Sequence, residues 1–255
     1  MKLGEKVVTL IILCSVPFVI WACSSSSTAP VNTTQPSQAA TAAPIPAAPP
    51  SDDIEARHKA VTPETALAAI SERVTVSNPN FLGDVNTVGK KDAPVNLVVF
   101  QDLKCGMCAR MYKRMFLDLN KSYVAAGKVK VTFMEFPLGL RLEESLLAEA
   151  TKCAGEQGKY IKYLDYLYMN IAKTKAEEVG VYAKKVGLNQ KKFDACVKER
   201  KYGMAVKADF QTGEELSVYG TPTMFINGKE VRGARDWVEL KQQVDQELAE
   251  VRGKK

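Results

Sequence analysis

The chain has 255 residues, 46% hydrophobic and 25% charged, a composition typical of one or two folded domains. This composition excludes wholesale disorder and a polytopic membrane protein. The net charge of +6 is mild and the basic residues are scattered along the chain, so we expect no nucleic-acid partner. The sole histidine, His58, excludes a polyhistidine metal site, and the six cysteines are therefore the candidate chemistry.

The N-terminal residues indicate export. Two lysines precede an apolar run from Val7 to Ile20, which is shorter than the roughly 20 residues of a membrane span and suits a secretion signal. The segment Ile20–Cys23 resembles a bacterial lipobox, which implies a signal peptide over residues 1–22 and lipid acylation of Cys23. Ordinary signal cleavage at the same place and an uncleaved anchor are the alternatives.

The next segment has the composition of a tether. Of the 27 residues at 24–50, 22 are Ser, Thr, Ala or Pro and none is charged, so they cannot bury enough apolar surface to become ordered. We therefore predict that residues 23–50 tie the protein to a lipid bilayer on the extracytoplasmic side. Residues 51–74 are predicted to be an N-terminal helical segment that restarts after a Thr62 cap, with His58 on a solvated face.

A strand, a helix and a second strand follow within about 45 residues. Val95 to Gln101 is a nearly continuous apolar run that fits a buried strand. Helical spacing continues from Cys105 to about Ala125, and the alternation from Val129 to Phe136 predicts the second strand. Such a βαβ unit predicts parallel strands. An irregular or edge strand is expected over residues 75–84.

The remaining chain is helical before it ends in a hairpin and a helix. Residues 141–217 carry helical patterns with no strand signal. Thr223 to Ile226 reads as a short strand, Asn227-Gly228 as a two-residue hairpin turn and Glu230 to Arg232 as the partner strand. Asp236 to Val251 is predicted to be an amphipathic closing helix.

The motif Cys105-Gly106-Met107-Cys108 stands where the first buried strand ends and its helix begins. Unpaired N–H groups and the helix dipole stabilise a thiolate there, so the pKa of Cys105 is expected to be lowered. Cys108 lies one turn along the same face, where it can close and reopen a disulfide as the resolving thiol. Half of a zinc site and a purely structural disulfide are the alternatives. Zinc requires four ligands, and Cys153 and Cys196 stand alone, so no metal is predicted.

Several short segments, taken in order, resemble the DsbA-like branch of the thioredoxin superfamily over about residues 75–250. The matching segments are Gly89–Phe100, Asp102, Cys105–Cys108, Ala154–Tyr160, Phe193–Cys196 and Val218–Gly228. The resemblance implies an α/β thioredoxin fold, βαβ then ββα, formed by residues 75–140 and 218–255. Residues 141–217 then correspond to the helical insertion of that family.

The resemblance also implies a site and an activity. The Thr221–Pro222 bond is expected to be cis and to lie beside the cysteines, where Thr221, Pro222 and Met107 would contact an extended substrate segment. The implied activity is disulfide exchange with exported cysteine-containing proteins, as a DsbA-like oxidant and without a cofactor. A membrane partner of DsbB or quinone-reductase type would recycle the pair. The alternatives are a reductase or isomerase in disulfide repair or cytochrome c maturation, and a tethered chaperone-like binding module.

This sequence departs from the family in ways that bear on its chemistry. Val99 stands where the family often has a buried acid, and no charged or imidazole side chain lies between the two cysteines. We therefore expect a Cys105 thiol less acidic than that of DsbA, whose pKa is about 3.5, and a weaker oxidant. Cys153 and Cys196 are expected either to form a second disulfide or to remain buried thiols.

Overall fold

The structure is a computed structural model that describes residues 62, 65, 66, 68, 85–139, 142–231 and 236–253. The predicted signal peptide, tether, Cys23, His58 and the strand expected over residues 75–84 lie outside these residues. Of the 51–74 segment, the described part includes the predicted cap, because the Thr62 hydroxyl oxygen accepts the Thr65 N–H at 3.2 Å.

The described strands form one mixed sheet in the order β1-β3-β2-β4-β5. β2 and β3 are parallel, whereas the other neighbouring pairs are antiparallel. The strands are β1 (Thr87–Val88), β2 (Val95–Gln101), β3 (Val129–Glu135), β4 (Thr223–Ile226) and β5 (Lys229–Glu230). The predicted parallel βαβ unit is thus confirmed, and the hairpin turn has positive φ angles at Asn227 (47°) and Gly228 (82°), as a type I′ turn requires.

Helix α1 connects the two parallel strands. It begins as an α-helix over Gly106–Met111 and continues through π-helical Tyr112–Phe116, α-helical Leu117–Leu119 and π-helical Asn120–Val124. Gly127 follows with φ of 69°, a left-handed conformation that glycine adopts without strain, and it ends the helix as predicted. The helix packs against the odd-numbered side chains of β2 and β3, which belong to the same core cluster.

Helices fill the segment between β3 and β4. They are α2 (Leu142–Gly155), α3 (Tyr160–Met169), α4 (Val179–Lys185), α5 (Gln190–Lys198) and α6 (Gly203–Glu215), with 3₁₀ turns at Ile171–Lys173 and Ala176–Glu178. Helix α7 (Trp237–Gly253) follows the hairpin. This is the expected thioredoxin fold with a helical insertion. Among the described residues, no helix has the length and apolar character needed to cross a membrane.

The insertion is held together by covalent and ionic contacts. The structure joins Cys153 on α2 to Cys196 on α5 in a disulfide with a Cα–Cα distance of 6.0 Å. Arg200 contacts the buried Glu149 carboxylate in a bidentate pair, with nitrogen–oxygen distances of 2.7 and 2.6 Å. Because a bidentate guanidinium satisfies both carboxylate oxygens, it compensates for much of the cost of burying Glu149.

Two details of the sheet differ from the sequence prediction. The short strand β1 lies in a stretch that no strand pattern marked, where Thr87 and Val88 pair with Thr132 and Val131 of β3. Two residues are too few to show a periodicity, so this edge strand is set by pairing with β3. Strand β5, the partner in the hairpin, is Lys229–Glu230 and begins one residue before the predicted start at Glu230, because the two-residue turn fixes the register. The predicted end at Arg232 lies outside the described residues.

Candidate active site around the cysteine pair

Cys105 lies at the N-cap of helix α1, directly after the loop that leaves β2. Its backbone is extended (φ −80°, ψ 116°), and its N–H donates to the Asp102 carbonyl at 3.0 Å. The side chain is half-buried, and its Sγ donates to the Thr221 carbonyl oxygen at 3.3 Å. The strand-to-helix turn therefore brings Cys105 to the protein surface beside the segment that precedes β4.

The surroundings of Cys105 favour its thiolate. A hydrogen bond from the Cys108 thiol is the largest effect and lowers the pKa of Cys105 to about 5, against the partial burial that opposes ionisation. The Thr221 side chain and the backbone N–H groups of Cys108 and Met107 lower it further. Cys105 is therefore largely ionised at neutral pH, yet less acidic than the DsbA thiol of about 3.5, in line with the expectation from the uncharged Gly106-Met107.

Cys108 has the opposite environment. Its side chain is fully buried in the main core cluster, one helical turn after Cys105. Burial raises the pKa of Cys108 far above the ordinary value, and the hydrogen bond to Cys105 raises it further. Both residues are free thiols in this structure. The pair thus combines an accessible, easily ionised sulfur with a shielded sulfur that keeps its proton.

The loop before β4 approaches the pair from the other side. The Thr221–Pro222 peptide bond is cis, as expected. The Thr221 hydroxyl oxygen is buried, and the Thr221 side chain lowers the pKa of both cysteines. The structure therefore gathers Cys105, Cys108, Thr221 and Pro222 in one place.

Exposed apolar side chains flank the pair. Met107, within the cysteine motif, is 53% exposed, whereas Met111 and Met115 on the same helix are buried in the core. Tyr219, just before the cis-proline loop, is 42% exposed, and Leu138, in the loop after β3, is 48% exposed. Large exposed apolar side chains grouped at one end of a sheet are typical of a binding surface.

Asp102 organises the loop that carries the pair, a role that the sequence did not reveal. One of its carboxylate oxygens accepts the Lys104 N–H at 2.7 Å, and the other accepts the Leu138 N–H at 3.1 Å. The carboxylate thus ties the cysteine loop to the loop after β3. An aspartate two residues before a backbone N–H is a known signal for such a turn and could have suggested it.

A buried polar cluster at the ends of β2 and β3 was also missed. Glu135 is 1% exposed at the end of β3, and burial, the largest cause, raises its pKa to about 7. Its Oε1 accepts hydrogen bonds from Tyr160 at 3.0 Å and from Gln101 at 3.3 Å. The signal was present, because Glu135 continues the inward-facing alternation of Val129, Val131 and Phe133, but a terminal glutamate is normally assigned to solvent.

The remaining candidate residues lie elsewhere. Cys153 and Cys196 are bonded to each other in the insertion, and Cys23 is outside the described residues. The Lys104 ammonium group donates to the Thr174 carbonyl at 2.9 Å, which links the cysteine loop to the insertion. In the described ranges, no three His, Cys, Asp or Glu side chains are placed to hold a metal ion together.

These features define a class of protein: a thioredoxin fold with a vicinal cysteine pair at a helix N-terminus and a cis-proline beside it. A family model described as thioredoxin matches residues 83–246. The probable disulfide bond formation protein D of Bacillus cereus is 30% identical over 195 residues, which cover 72% of this chain and 88% of that protein. The chain therefore belongs to the thioredoxin family, and it is a DsbA-like thiol–disulfide oxidoreductase.

Solved structures share the fold. The oxidised crystal structure of BdbD from Bacillus subtilis has a TM-score of 0.58 and 23% identity, covering 64% of this chain and 92% of that one. The structure of α-DsbA1 from Wolbachia pipientis has a TM-score of 0.59 and 19% identity, covering 66% and 93%. The similarity thus extends over nearly the whole length of the two solved structures and about two thirds of this chain.

Proposed function

We propose that this protein exchanges disulfides with exported proteins through Cys105 and Cys108, acting as a DsbA-like oxidant. The observation that carries the proposal is the contrast between the two sulfurs. Cys105 is half-exposed with its pKa lowered to about 5, whereas burial raises the pKa of Cys108. A nucleophile and leaving group of low pKa beside a shielded resolving thiol is the combination that two-step exchange requires.

The oxidised pair would accept two electrons in two steps. A substrate thiolate attacks Cys105 Sγ, which forms a mixed disulfide and breaks the bond to Cys108. Cys108 leaves with the electron pair and takes up a proton, because its buried thiolate is unfavourable. A second substrate thiolate then attacks the substrate sulfur of the mixed disulfide, and Cys105 leaves as a stable thiolate. The substrate gains a disulfide, and the pair is left reduced.

The substrate surface is proposed to be Met107, Thr221 and Pro222. The backbone of Thr221 is adjacent to Cys105 Sγ, so an extended substrate segment could pair with it while its cysteine reacts. The exposed Met107 side chain is flexible and apolar, which suits unfolded chains of varied sequence. A membrane partner of DsbB or quinone-reductase type would then withdraw the electrons from the reduced pair.

We also propose an extracytoplasmic, membrane-anchored location for the protein. Residues 1–22 would be a lipoprotein signal peptide, Cys23 the acylated residue, and residues 23–50 the tether to the domain. The support is the lipobox-like Ile20–Cys23 and the Ser/Thr/Ala/Pro composition that follows it. Replacing Cys23 by alanine should release the protein from the membrane fraction, and a variant that remains fully bound would contradict lipid anchoring.

Loss of Cys105 tests the enzymatic role against a binding role. We expect Cys105→Ala to abolish both disulfide formation in a reduced unfolded protein and reduction of insulin, because the other free cysteine among the described residues, Cys108, is buried. The matched control is the double variant Cys153→Ala/Cys196→Ala, which removes two cysteines from the insertion and should keep exchange activity. If Cys105→Ala retained full exchange activity, the cysteine pair would not be the active site.

A further inference from the structure

Glu135 lies on the face of the sheet that carries the cysteine pair. In the parallel register of β2 and β3, it is paired with Gln101, at the end of the strand that leads into the cysteine loop. Side chains alternate along a strand, so Glu135 points to the same side as Val131 and Phe133. Those two residues pack in the same core cluster as Cys108. The carboxyl group is therefore inside the protein, on the side of the sheet against which the cysteine helix packs.

The buried cation nearby is paired with a different acid. The Lys152 ammonium lies 2.7 Å from Asp209 Oδ2, and both side chains are almost inaccessible. The same Asp209 oxygen accepts the backbone N–H of Glu135 at 3.1 Å. Burial raises the pKa of Glu135 to about 7, the Lys152 charge opposes this rise, and the Asp209 charge adds to it. Glu135 thus titrates near neutral pH.

The Glu135 carboxylate accepts hydrogen bonds from several buried donors. Its Oε1 accepts from the Tyr160 hydroxyl at 3.0 Å, the Gln101 amide at 3.3 Å and the Thr151 hydroxyl at 3.4 Å. Burial raises the pKa of Tyr160 well above the ordinary value, and the Glu135 charge raises it further, so this phenol stays neutral. The charge of the cluster therefore changes at Glu135 and not at its phenol neighbour.

A hydrogen-bonded chain leads from this carboxylate towards the backbone of the loop that carries the cysteines. The Tyr168 hydroxyl donates to the Gln101 side-chain oxygen at 3.0 Å and lies 3.5 Å from the Asp102 carbonyl oxygen. Burial raises the pKa of Tyr168 well above the ordinary value, and a negative charge at Cys108 or at Glu135 would raise it further. Tyr168 therefore connects the buried acid to the backbone of the cysteine loop through Gln101 and the Asp102 carbonyl.

We propose that Glu135 is a positioning residue that couples the redox state of the cysteine pair to pH. The inference rests on the proposed function, because it requires the pair to alternate between disulfide and reduced forms. The reduced pair carries the negative charge of the Cys105 thiolate, which the disulfide lacks. A second negative charge on Glu135 opposes it in the buried, weakly screened interior.

The repulsion between the Cys105 thiolate and the Glu135 carboxylate determines how many protons the reaction takes up. When a substrate delivers two electrons, Cys108 takes up one proton as its sulfur leaves the disulfide. Glu135 takes up an additional fraction of a proton from water at the same time, because its ionised form has become less favourable. When the disulfide reforms and two electrons pass to the oxidant, Glu135 releases that fraction again. The carboxyl exchanges no atoms with the substrate.

The test is the pH dependence of the midpoint potential of the pair in the full-length protein, titrated with glutathione. The native protein should take up more than one proton per two electrons across neutral pH. The Glu135→Gln variant should take up one proton per two electrons, because the amide keeps the shape of the side chain but does not ionise. Tyr168→Phe should lose most of the proton uptake beyond one proton per two electrons. Tyr163→Phe is the matched control, since this buried tyrosine of the same helix donates to the Val179 carbonyl at 3.0 Å.

The outcomes separate the inference from the function on which it rests. If Glu135→Gln and Tyr168→Phe show the same pH dependence of the midpoint potential as the native protein, Glu135 does not influence the redox equilibrium of the cysteine pair, although the pair is active. If the pair exchanges no disulfide with glutathione in the native protein, the proposed function itself fails. Redox difference infrared spectra give an independent reading. The carboxyl band that grows on reduction should be absent in Glu135→Gln, and its persistence there would overturn the assignment to Glu135.

Discussion

Replacing Cys108 by alanine is expected to stop disulfide exchange at the mixed disulfide. Cys105 remains ionised enough to react with an oxidised substrate, but no neighbouring thiol is left to attack the bond and release it. Cys108→Ala should therefore accumulate a covalent complex with substrate, and multiple-turnover exchange should fall to the uncatalysed level. Non-reducing electrophoresis of the protein mixed with an oxidised substrate measures this directly.

The structure also predicts that this variant will fold. Cys108 is a small buried side chain, and truncating it to alanine removes one sulfur atom from the core, at a cost of about 1 kcal/mol. The pKa of Cys105 should rise in the variant, because the thiol of Cys108 is the largest cause of its lowering. A Cys108→Ala protein that turns over at the native rate would show that Cys108 is not the resolving thiol.

Removing the insertion disulfide is expected to have the largest effect on stability. The Cys153–Cys196 bond closes a loop of 43 residues, and the chain-entropy model gives about 4 kcal/mol for a loop of that length. This is a large part of the 5–15 kcal/mol by which domains are typically stable. Cys153→Ala/Cys196→Ala should therefore lower the free energy of unfolding by roughly this amount in a denaturant titration.

The same variant should leave the reactivity of Cys105 unchanged. The disulfide joins α2 to α5, whereas the effects that lower the pKa of Cys105 come from Cys108, Thr221 and Met107. If the double variant had the same free energy of unfolding as the native protein, the disulfide would have no stabilising role. A changed alkylation rate for Cys105 would instead indicate that the insertion shapes the active site from a distance.

Local patterns in the sequence predicted most of the fold. The apolar run of β2, the alternation of β3 and the Asn227-Gly228 turn are short-range signals, and each produced the element expected of it. Strand β1 was missed because pairing with β3, and not its own two residues, makes it a strand. The order of the sheet required the resemblance to a known family, since strand pairing depends on contacts far apart in sequence.

The active site was likewise predictable from the sequence only in part. The spacing of Cys105 and Cys108 at a strand–helix junction by itself indicates a lowered pKa for Cys105. The buried cluster of Glu135, Gln101 and Tyr168 could not be predicted in this way. Its members come from β3, β2 and α3, and only the packing of the insertion against the sheet brings them together. The alternation of β3 marks Glu135 as inward-facing, but the sequence does not show that this residue meets Gln101 and Tyr168.

We infer that Cys105 is a thiolate at neutral pH because of its place at the helix N-terminus and its hydrogen bond from Cys108. The most direct test is the pH dependence of its alkylation by iodoacetamide in the reduced full-length protein, with the modified residue identified by peptide mass. We predict a half-maximal rate near pH 5, while Cys108 stays unmodified in the folded state. A half-maximal rate near the ordinary thiol value of 9.0, with both cysteines equally reactive, would contradict the account.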